Sequence, residues 1–269
     1  MGLAMGAAMA SKGNSKGSQT DDSRYGHPEL RNVARQTLSF ELPHLPGEEF
    51  RIAIPELVSD AKKPIMPWGH PSPEFDFEQN RARCLIEIPG SICVEATVSF
   101  LGERIDTLVK ATNLSSRPWE HTNAFTCFAY YAAPSFYDRS LTRTYFPVDG
   151  KWKAVTELFK EHDPGGGRYT FFPVSGGPQL EDLWACREIQ QFHPQTVSQG
   201  AACVTSLDQR WVAGVFTPSP AFLFVNRVKT CIHADPLMGT VGPGQTGEGL
   251  MSIHIFRGTP ADFAKRCRT

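Results

Sequence analysis

The chain has 269 residues, 41% of them hydrophobic, and its 27 basic and 28 acidic residues give a formal net charge of -1. This length and apolar content suffice for a sizeable core, and the balanced charge argues against nucleic acid or an anionic membrane as partner. Because no run of about 18 apolar residues occurs, the sequence predicts no membrane-spanning segment.

The N-terminus begins with small and apolar residues and then becomes rich in Gly, Ser and Lys. Since a basic start and a strong apolar core are missing, residues 1–35 are predicted to be a flexible tail, and the remnant of an export signal is the alternative. Residues 36–269 are predicted to form a single β-sandwich-type domain. Seven cysteines without a CxxC pair favour buried free thiols and a cytoplasmic location, with export left open.

Alternating runs predict the elements of the first half of the chain. QTLSFELP and EEFRIAIP predict two strands, and the proline-rich stretch that follows predicts a long surface loop. RCLIEIPGSICVEATVSFLGERIDTLVKATNLS predicts three strands of a meander, joined by a Pro-Gly turn and a Gly-Glu turn. A strand HTNAFTCFAYYAAP comes next, then a hairpin at the Asp-Gly step before Trp152.

In the second half, LEDLWACREI predicts a short helix, and the glycine run DPGGG before it predicts a flexible turn. That run has neither a preceding apolar strand nor a following Lys-Ser/Thr, so no nucleotide cofactor is predicted. Five more strands follow, and Thr259 and Pro260 predict the start of a C-terminal helix. The fold is therefore predicted to be all-β, an antiparallel β-sandwich or jelly roll with a short C-terminal helix.

The segment CIHADP contains the most distinctive candidate site. Residues two apart in a strand share a face, so Cys231, His233 and Asp235 are predicted to point the same way. In the next strand, GLMSIHIF, His254 lies opposite the apolar stripe. If the two strands form a hairpin centred on the Pro-Gly step between them, His233 faces His254 and Asp235 faces Ser252.

Two imidazoles and one carboxylate on one face form the ligand set of an open metal site. The sequence thus predicts that His233, Asp235 and His254 bind one divalent ion, either iron, manganese or zinc. A metal-free acid-base pocket and an ordinary strand end are the alternatives, because one bulge would shift the register.

A second group of polar and aromatic residues is predicted to bind substrate. His121 and Asn123 are predicted to share a strand face, Arg143 to hold a carboxylate with two hydrogen bonds, and Trp68 to form an aromatic wall. Tyr145 is predicted to act as a proton donor and so to join the catalytic set.

Two functions follow from these patterns. The first is an enzyme, a lyase, hydrolase or isomerase, that acts on a carbohydrate or similar polar small molecule and is metal-assisted if the ion binds. The second is a non-catalytic carbohydrate-binding or interaction module whose platform is formed by exposed Trp68, Trp119 and Tyr131. The chain is longer than most simple binding modules, which favours the enzyme.

Overall fold

A computed structural model describes residues 28–161 and 168–267 of the chain. The strands are β1 (Glu29–Ala34), β2 (Thr37–Glu41), β3 (Glu49–Ser59), β4 (Pro64–Met66), β5 (Phe75–Glu78), β6 (Arg81–Ile88), β7 (Ile92–Leu101), β8 (Arg104–Asn113), β9 (Trp119–Ala132), β10 (Thr144–Val148), β11 (Lys151–Ala154), β12 (Tyr169–Phe172), β13 (Ala201–Thr205), β14 (Trp211–Phe216), β15 (Pro220–Asn226), β16 (Cys231–Val241) and β17 (Thr246–Arg257). The α-helices are α1 (Val155–Glu161), α2 (Trp184–Ile189) and α3 (Pro260–Arg266), and a 3-10 turn covers Leu180–Asp182.

The strands form two antiparallel sheets. The first has the order β1-β2-β3-β9-β16-β15-β12, with β4 beside β3, and the second has the order β11-β10-β13-β14-β17-β8-β7-β6-β5. One apolar cluster contains side chains from both sheets, so the inner faces pack against each other as in a sandwich. The predicted all-β antiparallel sandwich is therefore confirmed. No helix in the described ranges has the length and apolar character needed to cross a bilayer.

The predicted meander is confirmed as β6, β7 and β8. In β6, Ala82, Cys84 and Ile86 are buried between exposed neighbours, as expected of a strand with one face on the core. The turn after β6 has three residues, since Ile88 pairs with Ile92. Cys84 consequently lies opposite Ala96, one position beyond the partner that a two-residue turn would give.

Three features of the chain differ from the predictions. β1 lies within the stretch predicted to be a flexible tail and pairs with β2, so the first sheet begins before residue 36. The proline-rich loop contains two short strands, β4 and β5, which pair with β3 and β6. Helix α1 was not predicted, and the glycine run at 163–167 lies outside the described residues.

The predicted hairpin between β16 and β17 is wrong. β16 pairs with β9 and β15 in the first sheet, whereas β17 pairs with β8 and β14 in the second. The connection after β16 carries the chain from one sheet to the other. Alternation of side chains reveals which face of a strand is buried, but it does not reveal the strand's partner.

The C-terminal helix α3 begins as predicted. The Thr259 side chain accepts a hydrogen bond from the Asp262 backbone, and the Asp262 side chain accepts one from the Thr259 backbone. The helix places Phe263 on the outer face of the second sheet. A side chain at Gly214 would come within 2.7 Å of the Phe263 ring, so glycine permits this close packing.

Candidate functional site

The outer face of the first sheet is divided into a covered half and an open half. The 3-10 turn and α2 lie over the covered half and bury an apolar cluster that includes Phe125, Phe222 and Phe224. Over the other half lies a cavity of about 470 Å³. It is lined by Thr37, Arg51, Ala53, Glu56, Cys127, Ala129, Tyr131, Tyr137, Val228 and Lys229.

A bulge in β3 brings Glu56 into this cavity. Along the pairing of β3 with β9, Ala53 lies opposite Cys127 and Leu57 lies opposite Phe125, so three residues of β3 face a single residue of β9. Pro55 lies within this bulge and has no N–H to give to the ladder. Burial raises the pKa of the Glu56 carboxyl, with His233 and Lys229 opposing the shift and Asp235 adding to it.

Cationic and aromatic side chains surround Glu56 in the cavity. Arg51 donates to Glu49 at 2.7 Å and to the Tyr131 hydroxyl, and its guanidinium lies 4.7 Å from the centre of the Tyr131 ring. Tyr131 and Tyr137 are both about two-fifths exposed. Lys229 adds a second cation to the lining. The cavity thus offers one carboxyl, two cations and two phenol rings to a ligand.

A buried polar cluster lies at the boundary of the cavity and the covered half. Cys231 pairs with Ala129 and Ile232 with Phe128, and the same register places His233 opposite Cys127. One atom of each of Cys127, Cys231 and His233 lies within 4.8 Å of the others. The Cys231 Sγ and the His233 Nε2 are 3.6 Å apart. The prediction that Cys231, His233 and Asp235 share a face is confirmed.

Asp235 lies beside this cluster. Its Oδ1 accepts a hydrogen bond of 2.7 Å from the Thr126 backbone, and its Oδ2 lies 3.4 Å from the His233 Nδ1. Burial raises the pKa of Asp235, and the His233 imidazole opposes that shift. Burial lowers the pKa of His233, but Cys127 and Asp235 outweigh this effect and raise it. Hydrogen bonding to Cys231 and burial raise the pKa of the Cys127 thiol.

His254 does not reach this cluster, so the predicted ligand set of His233, Asp235 and His254 is not formed. His233 points to the outer face of the first sheet, and His254 points to the outer face of the second. There the centres of the His254 and Phe263 rings are 5.9 Å apart. Packed sheets lie about 10 Å apart, so no single ion can bridge the two imidazoles. Ser252 lies 3.3 Å from the His254 Nε2 and is not opposite Asp235.

The buried imidazole of His254 predicts a pH-dependent stability. Burial lowers its pKa from 6.5 to about 4, with Arg104 and Arg266 adding to the shift. The unfolded chain then binds the proton more readily than the folded one, so stability is full above pH 6.5 and falls as the pH drops toward 4. The whole effect is about 3 kcal/mol.

Urea unfolding at several pH values checks this prediction. The free energy of unfolding of His254→Gln is expected to fall less between pH 7 and pH 4 than that of the wild type. The exposed His121→Gln variant is the matched control and is expected to follow the wild type. An equal pH slope in His254→Gln and the wild type would contradict the assignment.

The other residues predicted for the site lie outside the cavity. Tyr145 packs with Trp152 on the outer face of the second sheet. The Arg143 guanidinium donates to the backbone carbonyls of Ser135, Tyr137 and Thr205, which corrects its predicted use as a carboxylate clamp. These bonds instead tie a loop to the end of a strand.

The predicted pair of His121 and Asn123 is separated by the backbone. His121 has a φ of 48°, a left-handed conformation that interrupts strand alternation, and its side chain is exposed. Asn123 is buried, donates to the His121 carbonyl at 3.0 Å and accepts from Ser59 at 3.2 Å. The two side chains therefore do not form one binding surface.

The predicted aromatic platform is only partly present. Trp119 is 1% exposed and lies in the core, so its predicted exposure is wrong. Trp68 is half-exposed and packs against Phe125 and Trp184 on the covered half of the sheet. Tyr131 lines the cavity. The three rings therefore do not form a continuous surface.

Glu56 and Cys127 were missed by sequence reasoning, although each left a signal. Cys127 lies an even number of residues from Phe125, Ala129 and Tyr131 along β9 and so shares their face. Glu56 follows a proline inside an otherwise apolar strand, which is typical of a bulge. What the sequence lacked was the pairing of β3, β9 and β16 that brings these residues together.

Comparison with known proteins gives architectural likenesses only. No family model matches the sequence, and no curated protein matches it. The galactose mutarotase related enzyme of Lactobacillus acidophilus aligns over 87% of this chain and 98% of its own, at 9% identity and a TM-score of 0.46. A galactose mutarotase-like protein of Lactobacillus casei aligns over 86% and 97%, at 9% identity and a TM-score of 0.45.

A third solved structure is much longer than this chain, and only part of it aligns. An alpha-mannosidase of Enterococcus faecalis aligns over 89% of this chain and 29% of its own, at 9% identity and a TM-score of 0.44. These values assign the chain to no family. Its function is therefore inferred from its own side chains.

Proposed function

We propose that the chain is an enzyme that acts on a carbohydrate or similar polar small molecule in the cavity on the outer face of the first sheet. The observation that carries the proposal is the Glu56 carboxyl, which the β3 bulge places inside the cavity beside Cys127. Burial raises the pKa of this carboxyl, so it holds its proton to a higher pH than an exposed glutamate does, and such a group is suited to give and take protons.

The cavity lining supports a hydroxyl-rich or acidic substrate. The cations of Arg51 and Lys229 are suited to hydroxyl, carboxylate or phosphate oxygens, and the Tyr137 ring is suited to the apolar face of a sugar. Glu56 would transfer a proton to or from the bound molecule while these groups hold it. Proton transfer of this kind serves isomerases, lyases and hydrolases alike.

A substrate panel tests the proposal. Neutral sugars, sugar acids and sugar phosphates are incubated with the full chain, conversion is followed by NMR, and binding is measured by calorimetry. We expect conversion of at least one class, and an increase in KM of about tenfold for Lys229→Ala because a charged hydrogen-bond donor is lost. Lys153→Ala, on β11 in the second sheet, is the matched control.

The alternative function gives a different result in the same panel. Sugar binding without conversion would identify a non-catalytic binding module, and the exposed rings of Tyr131 and Tyr137 at the cavity favour that second candidate. Binding of no member of the panel would contradict both functions.

A further inference from the structure

The distance between Cys231 and His233 matches one edge of a coordination tetrahedron. Zinc binds Cys sulfur at about 2.3 Å and His nitrogen at about 2.0–2.1 Å, which at a tetrahedral angle separates the sulfur and nitrogen by about 3.6 Å. The Cys231 Sγ and the His233 Nε2 are 3.6 Å apart. All three candidate ligand atoms lie within 4.8 Å of one another, so small side-chain adjustments suffice to bind one ion.

The second nitrogen of His233 lies near a carboxylate, as is common for a metal-binding histidine. A ligating imidazole usually donates its other N–H to a carboxylate, which fixes the ring and its tautomer. The His233 Nδ1 lies 3.4 Å from the Asp235 Oδ2. Both atoms are buried, and neither forms a hydrogen bond. A metal on Nε2 would leave the proton on Nδ1, where it can be donated to this carboxylate.

We propose that Cys127, Cys231 and His233 bind one Zn²⁺ ion, with Asp235 as the positioning residue of His233. Two thiolates balance the double positive charge of the ion, which suits a buried site. Binding releases the protons of both thiols and any proton on the imidazole nitrogen that takes the metal, so affinity rises with pH. Thiolate sulfur and imidazole nitrogen select zinc over the hard ions magnesium and calcium.

One ligand of the proposed site borders the cavity. Cys127 belongs both to the candidate ligand set and to the cavity lining, so the ion can enter from that side. A site with three protein ligands and one open position is typical of catalytic zinc, whereas structural sites have four protein ligands. The catalytic use of the ion rests on the proposed function, but the binding of the ion does not.

The proposal is tested by measuring the zinc content of the full chain by elemental analysis. The protein is purified without a histidine tag from cells grown with added zinc. We expect about one zinc per chain. Replacing the zinc with Co²⁺ is expected to give the thiolate-to-cobalt absorption and the intense visible bands of a tetrahedral site. Wild-type protein that binds neither zinc nor Co²⁺ would overturn the proposal, as would recovery of Cys127 and Cys231 only as a disulfide after purification under reducing conditions.

Matched variants separate ligands from neighbours. Cys231→Ala is expected to lose the zinc and the thiolate-to-cobalt band, whereas Cys203→Ala, a buried thiol of the second sheet, keeps both. Asp235→Asn is expected to weaken zinc affinity by about 10–100-fold and to retain the cobalt spectrum, as a positioning residue should. Circular dichroism of each variant checks that it is folded.

Two further variants cover the remaining outcomes. If Cys231→Ala does not fold, His233→Gln takes its place. A folded ligand variant that keeps full zinc content would overturn the proposal. Glu56→Gln is expected to keep the zinc, because Glu56 is not a proposed ligand. Lost turnover with the zinc retained would support the proposed function. Lost zinc would contradict the ligand set of Cys127, Cys231 and His233.

Discussion

Replacing Glu56 with Gln is expected to lower the turnover of the cavity's substrate by a factor of about 10²–10⁴, the usual contribution of a positioned acid-base group. Glutamine has the same shape and can still form hydrogen bonds, but it cannot give up or accept the proton. The measurement is the initial rate with the sugar that the wild type converts fastest.

The Glu56→Gln variant is expected to fold at least as stably as the wild type. Burial raises the pKa of this carboxyl because the charged form is poorly solvated, so a neutral amide of equal size removes a cost of folding. Glu78→Gln, exposed on β5 in the second sheet, is the matched control and is expected to retain full turnover. A fully active Glu56→Gln variant would show that the cavity does not use this carboxyl.

Replacing Trp119 with Ala is expected to lower the free energy of unfolding by about 3–5 kcal/mol, because it leaves a large void in a core that cannot fully collapse. Trp119 is buried in the shared core, and its indole nitrogen donates to the Ser115 hydroxyl at 3.2 Å. For a chain of this size the melting temperature is expected to fall by about 6–20 °C. Thermal unfolding followed by circular dichroism measures it.

Trp68→Ala is the matched control, since the Trp68 ring is half-exposed and its removal opens no void in the shared core. We expect a much smaller loss of stability in this variant. A Trp119→Ala protein that is as stable as the wild type would contradict the buried position of this ring.

The sequence by itself determined several strands of this protein and the faces of their side chains. The runs that form β6, β7 and β8 have a period of two that holds regardless of the partner strand, so the meander follows from local chemistry. The same argument assigned Cys231, His233 and Asp235 to one face. The cap at Thr259 is likewise local, since both of its hydrogen bonds lie within four residues.

Only the tertiary structure decided which strands lie side by side. β16 and β17 are adjacent in sequence but belong to different sheets, so His254 points away from His233. The bulge that brings Glu56 into the cavity depends on the pairing of β3 with β9, and Cys127 reaches His233 because β9 pairs with β16. A strand's sequence specifies its two faces, whereas its neighbours are selected by the packing of the whole core.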